Sequence, residues 1–331
     1  MKKLVLLTAI WSSIACLAAD GVRTVTAQPR KSLKVLMIGN SFSICLLEQF
    51  PQVAKSMGLE LDLCSLYIGG CSFERHWQNV EKAGNPDFLP YDVRWNYASC
   101  AHDAAPVARA VRAGGRENRR NGKASRRVSG NIPQLLKADR WDVVTIQQAS
   151  HFSWQPATYR PFADNLVKKI RELAPQAEIV VQETWSYTPW DRRLAQWKMD
   201  QDEMYAKLHV AYGDFAKVNG FMVIPVGTAV QLYRKALPVV YTENSFGGDP
   251  CGSAKFERAE GGGWKPKGDV FHFNREGHYL QALVWTAALY GVDVEKCPYK
   301  PVFLDASRAG KMKSCAMKSV RGMVKVGNLD E

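Results

Sequence analysis

The sequence predicts an α/β domain with a mostly parallel sheet covered by helices on both faces. Two observations carry this: five short apolar runs, each closed by a turn signal, and stretches of 3.6-residue periodicity between them. Strands that alternate with helices assemble as right-handed βαβ units, which place helices on both sides of the sheet. A chain of 331 residues with 46% hydrophobic and 23% charged residues has ample apolar material for such a core. The same composition excludes a largely disordered or collagen-like protein, and no repeat of fixed period points to a solenoid.

The N-terminal segment stands apart from the fold. Lys2 and Lys3 precede an apolar run over residues 4–19 with small residues after it, the pattern of a secretory signal peptide. The run is shorter than the roughly 20 residues needed to span a bilayer, and no later run is long enough either. Cleavage after Ala27 suits the small-residue rule; Ala18 or Ala19 are alternatives, and lipid attachment at Cys16 is a lesser one. Residues 28–299 are then expected to form one exported domain and residues 300–331 a basic C-terminal extension.

Residues 34–39 (K-V-L-M-I-G) read as the first buried strand, 59–68 as the second, 141–148 as the third, 178–184 as the fourth and 221–226 as the fifth. Pro225 cannot donate to a ladder, so the fifth strand is expected at an edge or to end early. Phe162, Leu166, Ile170 and Leu173 mark the helix before the fourth strand. Met204, Leu208, Ala211, Phe215 and Val218 mark the one before the fifth, stopped by Gly220. A last helix is capped by Asn274, runs through Leu280, Leu283, Val284 and Ala287, and stops at Gly291.

Export changes how the cysteines read. An oxidising compartment allows up to three disulfides and one free thiol among Cys45, Cys64, Cys71, Cys100, Cys251, Cys297 and Cys315, whose spacings fix no pairing. The absence of C-x-x-C argues against a zinc ribbon or a thioredoxin-type site. The formal charge of +12 is concentrated in an insertion over residues 94–127, where nine Lys/Arg stand against two acids. No nucleic-acid-binding motif accompanies it. The charge suits an anionic glycan or a cell-envelope surface better, and a solvated loop better still. Residues 241–268 form a second long loop, expected to be an ordered pocket wall anchored by Cys251, Phe256 and Trp264.

Ligands of parallel sheets bind beyond the carboxyl ends of the strands, so the residues following each strand are the candidates. Gly39-Asn40-Ser41-Phe42-Ser43 follows the first strand, Gly69-Gly70-Cys71-Ser72 the second and Gln147-Gln148-Ala149-Ser150-His151 the third; Asp269-Val270-Phe271-His272 comes late. A serine becomes a nucleophile when a base takes its proton, and a histidine base needs a carboxylate to hold its tautomer. Ser41, His272 and Asp269 can fill those roles, with the backbone N–H groups of Ser41 and Gly70 facing the oxyanion. Trp154 after the third strand, and Trp185, Tyr187 and Trp190 after the fourth, are expected on the same edge, where flat rings suit the faces of sugars. The alternative is that they pack the loops. His272 and His278 are too far apart for an H-E-x-x-H pair, so no catalytic metal is expected.

These blocks, in this order over about residues 34–291, resemble those of the SGNH (GDSL-type) hydrolases. G-N-S-F-S is similar to the first block, Y-I-G-G-C-S to the second and D-V-F-H to the fourth. The likeness is greater to the G-N-S-F branch of secreted esterases, in which L-Y-I-G-G-C-S and V-T-I-Q-Q-A-S also have counterparts. The resemblance implies a three-layer α/β/α sandwich on a five-stranded, flavodoxin-like sheet, and an esterase that uses Ser41, His272 and Asp269 without a cofactor. The third block departs: no G-x-N-D follows the third strand, which leaves Gln147 or Gln148 to supply the oxyanion-hole amide. With export and the aromatic loops, the expected substrate is an acetylated carbohydrate. A lipase- or thioesterase-like activity, a non-catalytic glycan-binding module on the same scaffold, and polyanion binding through the insertion are the rival readings.

Overall fold

The computed structural model describes residues 29–96, 107, 109, 112–120, 123–237, 248–252 and 256–323. The expected signal peptide with Cys16 lies outside the described residues, as do Cys100, residues 238–247 of the long loop and residues 324–331 of the C-terminal extension. In chain order the elements are β1 (Ser32–Gly39), α1 (Leu46–Ser56), β2 (Glu60–Tyr67), α2 (Phe73–Lys82), β3 (Tyr91–Asn96), β4 (Arg112–Arg120), β5 (Lys123–Gly130), α3 (Ile132–Ala138), β6 (Val143–Ile146), α4 (Phe162–Leu173), β7 (Glu178–Gln182), α5 (Arg192–Gln196), α6 (Gln201–Asn219), β8 (Met222–Ile224), α7 (Val226–Ala236), β9 (Phe256–Arg258), β10 (Trp264–Pro266), α8 (Arg275–Tyr290) and α9 (Ala306–Met323).

The sheet runs β4-β5-β3-β2-β1-β6-β7-β8. Its β2-β1-β6-β7-β8 half is parallel throughout and corresponds to the five expected strands. β8 is the edge and ends just before Pro225, so both consequences of that proline are realised. Because the strand order reverses at β1, the crevice beyond its carboxyl end is the switch point of the sheet, and Ser41 stands there.

Three further strands, all antiparallel, extend the sheet beyond β2. The basic insertion is therefore not a loop over its whole length: β4 and β5 pair along it, with an irregular register between Ala113 and Glu117. Its Gly, Ser, Asn and Arg residues give no apolar alternation, which is why no strand was legible there.

Helices cover both faces. On one, Phe73 of α2 meets Tyr159 at 5.3 Å and Phe215 of α6 at 5.9 Å. On the other, Phe50 of α1 meets Trp285 of α8 at 5.8 Å. Asn274 caps α8 by accepting from the N–H groups of Glu276 and Gly277, and Gly291 ends it in a left-handed conformation. Nearly all of α8 is buried, so its apolar sequence needs cover all round, and the expected C-terminal extension supplies it. As α9, that segment packs on α7 and α8 with Met312 and Ala316 fully buried. The described part of the second long loop contains the β9–β10 hairpin. The six described cysteines are free thiols, so the disulfides that export would permit do not form among them; all but Cys45 are buried.

Candidate active site

Ser41 begins the turn after β1. A Cβ at Gly39 would collide with Ser43 Oγ, so the backbone there must lie bare against the turn. Ser41 Oγ stands 2.8 Å from His272 Nε2, and His272 Nδ1 stands 2.5 Å from Asp269 Oδ2. Asp269 Oδ1 accepts from the N–H groups of Phe271 and His272 at 2.8 and 2.9 Å. Burial alone would raise the Asp269 pKa, but the hydrogen bonds from His272 and these two backbone groups outweigh it and bring the carboxyl down to about 2. A permanent carboxylate at Nδ1 keeps the ring proton there, which leaves Nε2 free to accept from Ser41. The His272 and Asp269 side chains are 34% and 43% exposed, so the constellation opens to solvent.

The Asp-x-x-His loop is pinned along its backbone. Val270 O accepts from Thr188 Oγ1 at 2.8 Å, Phe271 O from Trp185 Nε1 at 2.8 Å, and His272 O from Gly252 N at 2.7 Å. Gly252 lies in the long loop, whose Asp249 pairs with Arg234 (3.0 and 3.2 Å) while Arg234 also donates to Ser186 O and Oγ. That part of the loop thus buttresses the triad from behind.

The four aromatic candidates divide. Trp185 is fully buried, with its ring between Phe42 (4.0 Å) and Phe273 (3.5 Å), so it wedges the serine turn against the histidine loop and cannot meet a substrate. Tyr187 is also fully buried and bonded to Ser150 Oγ. Trp154 is half-buried against Trp197. Trp190, at 40% exposure, lines an open cleft of about 450 Å³ with Leu194 and Met199.

Both glutamines are buried. Gln147 is 2% exposed and donates from Nε2 to Asn40 Oδ1 at 2.8 Å, while Gln182 Nε2 donates to its Oε1. Gln148 is fully buried; its Oε1 accepts from the N–H groups of Phe73 and Ala149, and its Nε2 donates to Thr158. Both amides are buried and bonded within the protein, Gln147 to Asn40 and Gln182, and Gln148 to Phe73, Ala149 and Thr158, where the expectation placed one of them open to the crevice. The N–H groups of Ser41 and Gly70 hold no backbone hydrogen bond among the described residues, and Gly70 has φ +61° on an exposed turn. Both N–H groups lie on the turns that follow β1 and β2.

Cys71 is buried and held as a neutral thiol. Burial pushes its thiol up to about 12, and its sulfur lies 3.5 Å from His76 Nδ1, whose pKa burial lowers to about 3. No cluster of three or more His, Cys, Asp or Glu side chains suited to a metal occurs among the described residues, and no helix there is long and apolar enough to cross a membrane.

Sequence reasoning missed Asn40, Gln182, Gln281 and Arg193. Gln182 closes the buried strand β7 and Gln281 lies among the apolar residues in the middle of α8, and a polar residue at such a position was the available signal. Arg193 is bonded twice to Asp191 (2.8 and 2.6 Å) and lies over the rings of Tyr187 (4.1 Å) and Phe271 (4.2 Å), beside His272.

A family model described as a domain of unknown function (DUF4886) matches residues 121–250, a stretch that holds β6 to β8 but neither Ser41 nor His272. The crystal structure of a DUF4886 family protein from Bacteroides uniformis is 25% identical, with 90% of this chain and 98% of that one covered and a TM-score of 0.68. The chain is similar to that family in fold along nearly its whole length. Lower similarities reach an SGNH hydrolase candidate from Slackia heliotrinireducens (17% identity, 78% of this chain and 99% of that one, TM-score 0.45) and the lipase/acylhydrolase from Enterococcus faecalis (13%, 78% and 96%, TM-score 0.41). No curated protein matches the chain.

Proposed function

We propose that this protein is an exported serine esterase that removes short acyl groups, acetyl above all, from a carbohydrate. The observation that carries the reading is the continuous line Ser41 Oγ–His272 Nε2 and His272 Nδ1–Asp269 Oδ2 at 2.8 and 2.5 Å, at the switch point of a parallel sheet. His272 takes the Ser41 proton as Oγ attacks the ester carbonyl, the N–H groups of Ser41 and Gly70 receive the developing oxyanion, and His272 returns the proton to the leaving alcohol. Water then repeats the sequence on the acyl-enzyme. The carbohydrate part is supported by the open triad, which admits an ester carried on a bulky molecule, and by the exposed Trp190 on its cleft.

The test is turnover of p-nitrophenyl acetate and release of acetate from acetylated glycans, with acyl chains of increasing length alongside. Ser41→Ala should abolish both with an unchanged circular dichroism spectrum, and a serine-directed phosphonate should label Ser41. Equal turnover by the folded variant overturns the serine mechanism, and a preference for long acyl chains overturns the acetyl assignment.

A further inference from the structure

Behind Ser41 a file of neutral amides runs into the core. Asn40 Nδ2 donates to Cys71 O at 3.1 Å, and Asn40 Oδ1 accepts from Phe42 N at 3.0 Å and from Gln147 Nε2 at 2.8 Å. Gln182 Nε2 donates to Gln147 Oε1, and Gln182 Oε1 accepts from Trp285 Nε1 and Gln281 Nε2, both at 2.7 Å. Gln281 Oε1 in turn accepts from Cys45 Sγ at 2.8 Å. None of Asn40, Gln147, Gln182, Gln281 and Trp285 is more than 2% exposed.

The file has one direction, dictated at both ends. An indole N–H can only donate, so Gln182 must turn its oxygen to Trp285 and its nitrogen to Gln147. Gln147 must then turn its oxygen to Gln182 and its nitrogen to Asn40. At the other end, the Phe42 N–H can only donate and the Cys71 carbonyl can only accept, which demands the same orientation of Asn40. A buried amide that faced the wrong way would oppose two like groups and leave both without a partner, which is costly away from water. Phe42 O is held as well, by Gln182 and Gln281 at 3.1 and 2.8 Å.

The consequence lies at the crevice. Asn40 ties the turn that carries Ser41 to the turn that carries Gly70 and Cys71, and these turns bear the two N–H groups left for an oxyanion. We infer that Gln147 is a positioning residue, which acts through Asn40 to set the separation of the Ser41 and Gly70 donors instead of touching the oxyanion itself. The inference rests on the serine-esterase reading for its catalytic consequence, but the orientation of Asn40 is measurable without it.

The experiment therefore has two arms on the full chain, with Gln147→Met, Asn40→Asp and their double variant. Asn40→Asp keeps an acceptor for Phe42 N–H and loses the bond to Cys71 O. In the first arm, Gln147→Met should lower kcat for p-nitrophenyl acetate about 10- to 100-fold with KM within twofold, the size expected when reacting groups are displaced by a fraction of an ångström to 1 Å. The double variant should be no worse than the poorer single one, because both break one path. In the second arm, amide hydrogen exchange at Phe42 should be at least tenfold faster in Gln147→Met. Full kcat in a folded Gln147→Met, multiplicative losses in the double variant, or unchanged exchange at Phe42 each overturns the inference. A wild type inert to esters and to phosphonate defeats the esterase reading alone, and the exchange arm still decides whether Gln147 holds Asn40. If Gln147→Met does not fold, Trp285→Phe removes the donor at the far end and faces the same two readouts.

Discussion

Two lines of hydrogen bonds leave the turn after β1, one outward and one inward. The outward line, Ser41 to His272 to Asp269, is titratable and a third or more exposed at its His and Asp. The inward line, Asn40 to Gln147 to Gln182 to Trp285, is neutral and at most 2% exposed. The difference suits what the proposed function asks of each. A proton relay has to change charge during turnover, which costs least where water can screen it. A brace must keep one orientation, and amides that cannot ionise, placed where water cannot compete, keep it at any pH.

Breaking the outward line should have the largest effect. His272→Ala, or Asp269→Asn, which presents an amide in place of the carboxylate, should cost about 10⁴ in kcat, measured with p-nitrophenyl acetate. Loss from the His variant alone would reduce the triad to a Ser-His dyad. The pH dependence sharpens the point. The Asp269 pKa is depressed to about 2, so its stabilising contribution is present above the ordinary 3.8 and lost as pH falls through about 2. An activity loss between pH 7 and pH 4 must then come from another group, and the Tm gap between wild type and Asp269→Asn should stay level to pH 4 and close only below it.

Next comes the support of the outward line. Arg234 and Asp249 are each 6% exposed, and Asp249 also accepts from Cys251 N, one residue from the Gly252 that holds His272 O. Arg234→Met leaves a buried carboxylate uncompensated and should destabilise the fold by about 3–5 kcal/mol, measured by denaturant unfolding. Arg234→Met with Asp249→Leu should recover much of that loss. No recovery would mean that the bonds to Ser186, not the ion pair, carry the effect.

A smaller effect belongs to the cleft that Trp190 lines. Trp190→Ala should raise KM for an acetylated glycan about fivefold, on the order of 1 kcal/mol for a stacked ring, and leave p-nitrophenyl acetate turnover alone. Equal loss on both substrates would make Trp190 a packing residue of the loop.

The two lines were not equally legible in the sequence. The outward line consists of a serine just past the first strand and an Asp-x-x-His pair in a late loop, so Ser41, Asp269 and His272 could be expected from their places and from the resemblance of their blocks to a known hydrolase family. The inward line is made of residues that spacing cannot connect: Gln147 follows β6, Gln182 closes β7 and Gln281 lies in α8, and only the stacking of those elements brings their amides together. Trp185 and Tyr187 sat after β7 as expected, but an aromatic beside a nucleophile reads the same whether it faces the sugar or the core. The parallel strands were legible because burial on both faces makes them continuous apolar runs. β4 and β5 were not, because their Gly, Ala, Ser, Asn and Arg residues show no apolar alternation.

The last prediction concerns a charged pair that stands next to the inward line. Gln182 belongs to the neutral brace, and the next residue, Glu183, is a buried carboxylate that pairs with His209 at 2.7 Å and accepts from Thr228 N and Oγ1. The hydrogen bond to Glu183, opposed by burial, raises the His209 pKa above its usual 6.5. A raised folded pKa means that the stabilisation is fully present below 6.5 and fades as pH climbs through the higher value. With the His209 side chain 38% exposed, solvent screens the pair, and the contribution is about 1 kcal/mol or less. The wild type should therefore melt about 2 °C above His209→Gln at pH 5.5, with the gap closing by pH 9. Because amides do not titrate, the ratio of kcat between the two proteins should stay flat over the same range. A ratio that follows the Tm gap would mean that charge at Glu183 reaches Gln182 and through it Asn40, and the brace would then be pH-sensitive after all.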